Sequence, residues 1–442
     1  MLKLDDWIAK RSQTSPRREA VTTAEGTLTY AELEARATAA ARALAAHGVR
    51  RGQAAALALS PGLDFAVAAH GLLKLGAIIV PLHPDLPEAE RARSASLAEA
   101  EHLITDPSWL SGPEADLPLL GEHDLSDPLC RIFTSGTSGE PRAVELTYGN
   151  ILWSAVGSAF NLGVDPEDRW LCCMPLAHVG GLSILLRSAI YGTAAVIHEG
   201  FDAERIADSF DREGVSVLSL VATTLNRLLA AGAPIERARV VLVGGGPVPE
   251  AVLEEAADRG AAVVQTYGLT EAASQVTALP PGDARRKLGS AGRQLLTTHL
   301  RIGDGEILVQ GPTVSPGCLD EDGWLRTGDT GWIDDEGFLY VSGRRGDLIV
   351  TGGENVAPAE VESVLLGHPA VADAAVVGRP DAEWQEAVTA MVVLREGARV
   401  AGEDLRSFCR GRLASFKVPK SVEFVSLLPR NEAGKLLRRQ LR

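Results

Sequence analysis

The sequence has little that would cross-link the chain or hold it in a membrane. Its cysteines are few and widely spaced, with no Cys-x-x-Cys pair: Cys130, Cys172, Cys173, Cys318 and Cys409. This pattern favours reduced thiols over a disulfide framework. No window reaches the ~18 uncharged apolar residues of a membrane span, and the apolar stretch at 72–82 carries Lys74. Because Asp5 and Asp6 stand where a signal peptide needs an apolar run, we expect a cytoplasmic protein.

The sequence also has fewer basic than acidic residues. The 442 residues include 43 Lys and Arg against 58 Asp and Glu, which gives a net charge of −15. A strongly acidic surface argues against nucleic acid or an anionic membrane as a partner, although a local basic pocket would still accept an anionic substrate. The hydrophobic fraction of 45 % is typical of a globular core.

The hydrophobic pattern predicts an α/β fold. Helix and strand signals alternate in the first 300 residues, which favours layers around a mostly parallel sheet. From about residue 302, short strands and glycine turns indicate a small β-rich region. The remaining ~96 residues predict a separate α+β unit, with strands at 371–377 and 387–394 and helices at 358–366 and 403–413. Glycine and charge at 343–347 place the boundary between residues 1–345 and 346–442.

One segment, 133–142, is rich in Ser, Thr and Gly and is followed by Arg142. Glycine lets backbone N–H groups approach a phosphate, hydroxyls add donors, and a cation offsets the charge. The segment is not a Walker A loop, which needs Gly-x-x-x-x-Gly-Lys-Ser/Thr. The alternative interpretation is a Ser/Gly-rich surface loop.

A second segment is Tyr267-Gly268-Leu269-Thr270-Glu271. Its ring could stack on adenine, its hydroxyl could bind phosphate, and its carboxylate could hold Mg²⁺, which prefers oxygen ligands. The alternative is a strand-to-helix turn with Thr270 as the N-cap.

Two further residues are single candidates. Asp329, between glycine turns, could accept hydrogen bonds from a ribose diol, or it could form a simple Asx turn. Lys435 follows Gly434 near the C-terminus, where a lysine is ordinarily just solvated.

These segments occur together in an order that resembles the adenylate-forming superfamily of acyl-CoA ligases, luciferases and peptide-synthetase adenylation domains. The matching segments are 134–142, 267–271, 326–329 with 343–344, and 429–435. The resemblance covers essentially the whole chain. It implies a large N-terminal region (1–345) of layered α/β subdomains with a small β-rich subdomain, and a mobile α+β C-terminal domain (346–442). It also implies an ATP-dependent ligase that forms an acyl-adenylate and passes the acyl group to coenzyme A.

The resemblance also assigns roles to residues. The expected phosphate ligands are Thr134, Ser135, Gly136, Thr137, Ser138 and Arg142, where Arg142 replaces the family's more usual lysine. Thr270 and Glu271 would complete the phosphate and Mg²⁺ site. The nucleoside would be held by Gly245, Gly246, Pro247, Tyr267, Gly268, Asp329 and Arg344. Lys435 would bridge the attacking carboxylate and the α-phosphate, and rotation of the C-terminal domain about Gly346 would then remove it before thioester formation.

Three segments, 175–187, 267–275 and 343–355, resemble one branch of the family, the o-succinylbenzoate–CoA ligases of menaquinone biosynthesis. A dianionic aromatic acid needs a flat apolar slot with polar groups. The expected wall residues are His178, Thr223, Gln265, Gly268 and Ser274. Arg227 is a candidate cation, although it also fits an exposed helix arginine, and Cys172 and Cys173 are expected in the core.

Other functions remain open at this point. An aryl-CoA ligase for benzoate or anthranilate in secondary metabolism would share the fold and motifs. A stand-alone adenylating module that loads a separate carrier protein would also share them. A non-catalytic binder is disfavoured because Lys435, Glu271 and Asp329 are all present. The sequence leaves a homodimer open.

Overall fold

The computed structural model describes residues 2–135, 141–351, 354–381, 384–430 and 436–441. The predictions for Gly136, Thr137, Ser138 and Lys435 therefore lie outside the described residues. Elements are numbered in chain order. The helices of the described part are α1 (Trp7–Thr14), α2 (Tyr30–Ala46), α3 (Leu63–Leu75), α4 (Glu88–Leu97), α5 (Tyr148–Leu162), α6 (Val179–Tyr191), α7 (Ala203–Arg212), α8 (Ala222–Ala230), α9 (Glu250–Asp258), α10 (Pro358–Leu366) and α11 (Gly402–Arg410).

The largest sheet has a parallel centre and antiparallel edges. In spatial order its strands are β16 (Arg293–Gln294), β15 (Ser274–Leu279), β14 (Val263–Leu269), β13 (Val240–Gly244), β12 (Val217–Val221), β10 (Arg169–Cys172), β11 (Ala194–Ile197), β2 (Glu19–Thr23) and β3 (Gly26–Thr29). The central strands are runs of Val and Leu that are buried along almost their whole length, as expected where helices cover both faces of a parallel sheet.

A second sheet lies against the first through buried helices. Its strands, in order, are β6 (Ala100–Ile104), β4 (Ala54–Leu57), β5 (Ile78–Pro81), β8 (Pro128–Ser135) and β9 (Pro141–Thr147). Helix α3 contacts strands of both sheets and α2, and almost all of its residues are buried. Gly71 allows the close approach of α2, since a Cβ at this position would lie 3.2 Å from the Ala37 carbonyl oxygen.

The rest of the chain forms smaller sheets. An antiparallel sheet contains β17 (His299–Gly303), β18 (Glu306–Gln310), β19 (Leu325–Ile333) and β20 (Leu339–Arg344). A further sheet contains β22 (Glu354–Val356), β21 (Ile349–Thr351), β24 (Gln385–Leu394), β23 (Val371–Asp381) and β25 (Ser421–Phe424). A short pair joins β1 (Lys3–Asp5) to β7 (Glu122–Asp124).

The predicted fold class is confirmed. The layered α/β part, the β-rich sheet and the α+β sheet all occur where the pattern predicted them. Element ends differ by a few residues. Strand β23 continues to Asp381 because it pairs with β24 along a long antiparallel ladder, and α11 ends at Arg410. No helix among the described residues combines the length and the apolar character needed to cross a membrane.

Buried charge in the first layer centres on Lys74, the residue that interrupts the apolar stretch at 72–82. Its ammonium lies 2.7 Å from a Glu34 carboxylate oxygen and 3.4 Å from Asp6. His70, one turn earlier on α3, is 2 % exposed, and its Nε2 has no partner among the described residues. Burial lowers the pKa of His70 to about 4; Asp6 opposes this shift and Lys74 adds to it.

We expect His70 to weaken the fold as the pH falls. The unfolded chain takes up a proton at His70 near the ordinary pKa of 6.5, whereas the folded chain takes it up only near 4. Stability is therefore lost as the pH falls between these values, by on the order of 3 kcal/mol for this residue. The His70→Leu variant should show a smaller decrease of the thermal midpoint across this interval than the parent protein. His299→Leu, at an exposed histidine, is the control; equal pH profiles for all three proteins would contradict the assignment.

Candidate active site

The predicted site residues meet at one edge of the largest sheet. Strands β10, β12, β13 and β14 run parallel, so their carboxyl ends share an edge, where ligands bind in open α/β sheets. Val221 lies opposite Gly244, and Val243 lies opposite Gln265. The residues predicted for acid and nucleoside binding lie at the ends of these strands or directly after them. Tyr267 and Gly268 are near the end of β14, Gly245, Gly246 and Pro247 follow β13, Thr223 is in the first turn of α8 after β12, and His178 lies between β10 and α6.

Asp329 is the centre of the predicted nucleoside site. Its Oδ2 accepts a hydrogen bond of 2.7 Å from the Tyr267 hydroxyl, and its Oδ1 lies 2.8 Å from Nε of Arg344. Asp329 lies inside β19, paired with Arg344 of β20, so the simple Asx turn is wrong. A carboxylate offers about four acceptor positions, and the two that remain are suited to a ribose diol.

The Tyr267 phenol acts as a donor over the whole physiological range. Burial raises its pKa well above 10.0, and the Asp329 carboxylate raises it further. A phenol that stays protonated can keep donating to the carboxylate. The contact therefore fixes the position of Asp329 relative to β14.

Gly268 is required by the packing of two strands. Its strand, β14, pairs with β15 through an irregular register between Tyr267 and Gly268. A Cβ at Gly268 would lie 1.9 Å from the backbone oxygen of Ser274, so a larger residue would separate the strands. This close approach brings Ser274 against β14, and its role in a wall of the acid pocket stays a prediction.

The turn between these strands is strained. Ala273 and Ser274 have positive φ angles of 52° and 102°, which cost energy for residues other than glycine. The Ser154 hydroxyl donates to the Ala273 carbonyl at 2.5 Å and accepts from Nη2 of the buried Arg187 at 2.9 Å. This buried chain of hydrogen bonds holds the turn directly after Glu271.

Thr270 and Glu271 lie in a single 3₁₀ turn, Thr270–Ala272. The alternative in which Thr270 caps a helix is wrong, because Leu269 is the residue before this turn and the chain then returns as β15. Ser315 fixes the turn to the second sheet. Its N–H donates to the Glu271 carbonyl at 2.8 Å, and its hydroxyl donates to the Glu145 carbonyl of β9 at 2.7 Å.

The hairpin formed by β8 and β9, whose loop is predicted to bind phosphate, is called the phosphate hairpin. Its strand β9 contacts the turn Thr270–Ala272. Strands β8 and β9 pair up to Ser135 and Pro141, on either side of the undescribed loop, and the Thr134 hydroxyl donates to the Arg142 carbonyl at 3.4 Å. Burial raises the pKa of the nearby Cys318 thiol, the Glu271 carboxylate raises it further and the Arg142 guanidinium lowers it. Both charges therefore act on one thiol, and strand β9, which contains Arg142, contacts the turn Thr270–Ala272.

The described residues provide no protein cage for a metal. They contain no group of three or more His, Cys, Asp or Glu side chains that could hold an ion. Mg²⁺ is commonly bound by one or two carboxylates plus substrate phosphates. Glu271, beside the phosphate hairpin, fits this arrangement, so the site suits Mg²⁺ carried by a nucleotide.

Most residues predicted for the acid pocket carry no charge. His178 immediately precedes α6 and is half-buried; burial lowers its pKa and the nearby His83 lowers it further, so its ring is neutral near pH 7. Gln265 is 8 % exposed, and its Nε2 has no acceptor among the described residues. Arg227 is exposed and packs over the Phe201 ring at 4.4 Å, as expected for a helix arginine at the surface.

Sequence reasoning missed Glu306. This carboxylate is 4 % exposed, accepts from the Gly328 N–H at 2.9 Å and binds Arg326 at 2.7 Å. It thereby holds the backbone directly before Asp329. His83 and Ser315 were missed as well. Nothing in the local pattern distinguishes these residues, since their contacts are made with distant parts of the chain.

A family model for AMP-binding enzymes matches residues 8–123 and 116–319, and a model for the C-terminal domain of AMP-binding enzymes matches residues 360–435. The chain belongs to the AMP-binding enzyme family. A 2-succinylbenzoate–CoA ligase of Bacillus cereus is 39 % identical across 100 % of this chain and 98 % of its own length, and one of Bacillus thuringiensis subsp. konkukian is 38 % identical with the same coverage.

Solved structures agree with this membership of the AMP-binding family. The o-succinylbenzoate CoA synthetase of Bacillus subtilis with its acyl-adenylate intermediate has a TM-score of 0.93 at 38 % identity, covering 100 % of this chain and 99 % of that one. The same enzyme with ATP and a magnesium ion has a TM-score of 0.93 at 38 % identity, covering 100 % of both chains. The expectations of an AMP-forming acid–thiol ligase and of ATP, Mg²⁺ and coenzyme A as its cofactors and co-substrate are confirmed.

We expect Tyr267→Phe to weaken nucleotide binding without unfolding the protein. The change removes the hydroxyl that donates to Asp329 and leaves one acceptor of a charged group unpaired, which costs about 1.5–3 kcal/mol. Affinity for ATP, measured by titration calorimetry, should fall about tenfold or more. Tyr340→Phe, in which the exchanged ring stacks on Trp332 at 4.1 Å, is the control. Unchanged ATP affinity in Tyr267→Phe would contradict the role given to the hydroxyl.

Proposed function

We propose that the protein ligates o-succinylbenzoate to coenzyme A through an acyl-adenylate, as a step of menaquinone biosynthesis. The observation that carries the proposal is the full-length likeness, at 38–39 % identity, to 2-succinylbenzoate–CoA ligases. The arrangement of Tyr267 and Glu271 at the end of β14, with Asp329 bound to the Tyr267 hydroxyl, supports it, because an adenylating enzyme needs nucleoside and phosphate groups side by side.

The first half-reaction joins two anions. A carboxylate oxygen of the acid forms a bond to the α-phosphorus while the bond from that phosphorus to pyrophosphate breaks. Positioned cations and backbone donors stabilise the charge that develops. Arg142 and the β8–β9 loop would bind the phosphates, and Lys435 would bridge the carboxylate and the α-phosphate. Glu271 would hold Mg²⁺, which when bound would supply positive charge to the leaving pyrophosphate.

The second half-reaction releases AMP. The acyl-adenylate is a mixed anhydride, and the thiolate of coenzyme A attacks its carbonyl carbon as the bond to AMP breaks. Asp329 and Tyr267 would keep the AMP part in place during this exchange. We propose that residues 346–442 form a mobile domain that turns about Gly346 between the two steps.

The acid would lie between β14 and the start of α6. Gln265 has a buried amide N–H without a described acceptor, and a buried donor of this kind ordinarily has a partner. A carboxylate of the dianionic acid would provide one. His178, Thr223, Gly268 and Ser274 would form the walls. The cytoplasmic location and the homodimer stay predictions.

The proposal is tested with purified protein, ATP, Mg²⁺ and a panel of acids: o-succinylbenzoate, benzoate, anthranilate and a medium-chain fatty acid. We expect o-succinylbenzoate to release pyrophosphate fastest and to form a CoA thioester. If a simple aryl acid were preferred about a hundredfold, or ~2.7 kcal/mol, the ligase class would hold and the named acid would be wrong. Replacing coenzyme A by a carrier protein in the second half-reaction would distinguish the carrier-loading alternative from a CoA ligase, because only the former would transfer the acyl group to the carrier.

We expect Gln265→Leu to impair use of the acid selectively. It removes a buried donor, so kcat/KM for o-succinylbenzoate should fall by roughly tenfold, while KM for ATP stays within about twofold. Arg227→Ala is the matched control, since its guanidinium packs on Phe201 at the surface, and it should leave both constants unchanged. A loss of acid use in Arg227→Ala but not in Gln265→Leu would reverse the assignment.

A further inference from the structure

The carboxylate proposed to bind Mg²⁺ lies on a short turn that is followed by strained backbone. Glu271 is the middle residue of the 3₁₀ turn Thr270–Ala272, and the Ala273 N–H closes this turn by donating to the Thr270 carbonyl at 3.0 Å. Ala273 and Ser274 both have positive φ angles, which residues other than glycine keep only when surrounding contacts hold them. A contact that holds Ala273 therefore also fixes the backbone of Glu271.

Such a contact comes from helix α5, 119 residues earlier in the chain. Ser154 is 2 % exposed, and its hydroxyl donates to the Ala273 carbonyl at 2.5 Å. A serine hydroxyl has a single hydrogen to donate, and this hydrogen rotates to suit its surroundings. The direction of the bond to Ala273 thus depends on which donor the Ser154 oxygen accepts from.

Arg187 of α6 is that donor. Its side chain is 2 % exposed, and Nη2 donates to the Ser154 oxygen at 2.9 Å. In the described part of the chain this guanidinium pairs with no carboxylate, and it lies over the Trp170 ring at 5.9 Å. A hydrogen bond from a charged donor is stronger than one between neutral groups. The Ser154 hydrogen is therefore left to point at Ala273.

We infer that Ser154, oriented by Arg187, is a positioning residue that holds Glu271 in place for Mg²⁺ bound to the nucleotide phosphates. The inference rests on the proposed function, in which Glu271 binds that ion. Ser154 acts through the backbone at Ala273, whereas the contact of Tyr267 with Asp329 does not involve this carbonyl. Loss of the Ser154 hydroxyl should therefore weaken ligands that bring the ion and spare ligands that need only the nucleoside site.

The test compares two ligands by titration calorimetry on the full-length protein. ATP is added with Mg²⁺, whereas AMP is added with a metal chelator and reports on the nucleoside site alone. We expect Ser154→Ala to bind ATP with Mg²⁺ about tenfold more weakly and to bind AMP within about twofold of the parent protein. Ser154→Thr keeps the hydroxyl and should restore ATP binding to within about threefold.

Ser158→Ala is the matched control. Ser158 lies one turn further along α5 and is 1 % exposed, and in the described residues its hydroxyl makes no hydrogen bond to the turn at 270–273. This variant also loses a buried hydroxyl of the same helix, so it should keep the parent affinity for both ligands.

The outcomes separate the inference from the proposed function. Equal weakening of both ligands in Ser154→Ala, or no weakening of either, overturns the positioning role. A parent protein that binds ATP equally well with and without Mg²⁺ overturns it as well. Absence of pyrophosphate release with o-succinylbenzoate overturns the proposed function instead, since the calorimetry uses no acid.

A second variant decides if Ser154→Ala fails to fold. Combining Ser154→Ala with Arg187→Met removes both hydrogen-bonding partners, so no buried charge is left unpaired, and such paired replacements can be nearly neutral for stability. The donor to Ala273 is still missing in this double variant. We expect it to bind AMP like the parent protein and ATP with Mg²⁺ about tenfold more weakly; parent-like binding of both ligands would overturn the inference.

Discussion

The contact between Asp329 and its two partners is the interaction on which the site depends. Tyr267 belongs to β14 of the largest sheet, whereas Asp329 and Arg344 belong to β19 and β20 of the antiparallel sheet. One carboxylate therefore joins two sheets at the point where the nucleoside is proposed to bind. Its orientation is set by a phenol on one side and a guanidinium on the other, so neither oxygen can turn without breaking a charge-assisted hydrogen bond. A rigid acceptor is preorganised for a diol, and binding then costs less ordering.

Electrostatics explains how an acidic protein can bind two anionic substrates. The net charge of −15 is a property of the whole chain, and salt screens surface charges over about 8–10 Å. At the site, Arg142 is on β9, which contacts the turn that contains Glu271, the carboxylate that the proposed mechanism assigns to Mg²⁺. Backbone donors of the phosphate hairpin add positive potential without adding charge. The proposed acid pocket contains His178 and the amide of Gln265, which would select the acid by hydrogen bonding rather than by net charge.

The sequence predicted most of the elements because their patterns are local. The helix at 358–366 has the predicted ends, and the predicted strands at 371–377 and 387–394 lie within β23 and β24. The candidate site residues were predicted from motifs, which are recognised by residue types at fixed separations along the chain. Contacts between distant segments could not be predicted. Glu306 looks like an ordinary strand residue until β18 and β19 pair and place the Gly328 N–H against it.

Gly268 and Thr270 show the same limit of sequence-based prediction, because their conformations depend on contacts with distant residues. Gly268 was predicted as a binding residue, whereas the structure adds a steric reason for it, since β15 passes too close for any side chain. The helix-capping alternative for Thr270 was reasonable from the residue types alone. It fails because the chain reverses at Ala273, in a conformation that the buried Ser154–Arg187 chain stabilises. Such a reversal depends on Ser154, which lies 119 residues earlier in the chain and which no local pattern reports.

The ion pairs around Gly346 differ in strength in a way that suits the proposed rotation. The pair of Arg345 with Glu306 spans 3.6 Å with a mostly exposed guanidinium, and that of Arg438 with Asp347 spans 3.7 Å. Long, partly exposed pairs contribute about 0–1 kcal/mol each, and each of these two pairs joins residues on the same side of Gly346, so a turn of the C-terminal unit would not need to break either. The pairs of Asp329 with Arg344 and of Glu362 with Arg438 are short and largely buried. Because breaking a buried pair costs about 3–5 kcal/mol, the rotation would leave them intact. Each unit would then move with its own ion pairs and its own binding groups in place.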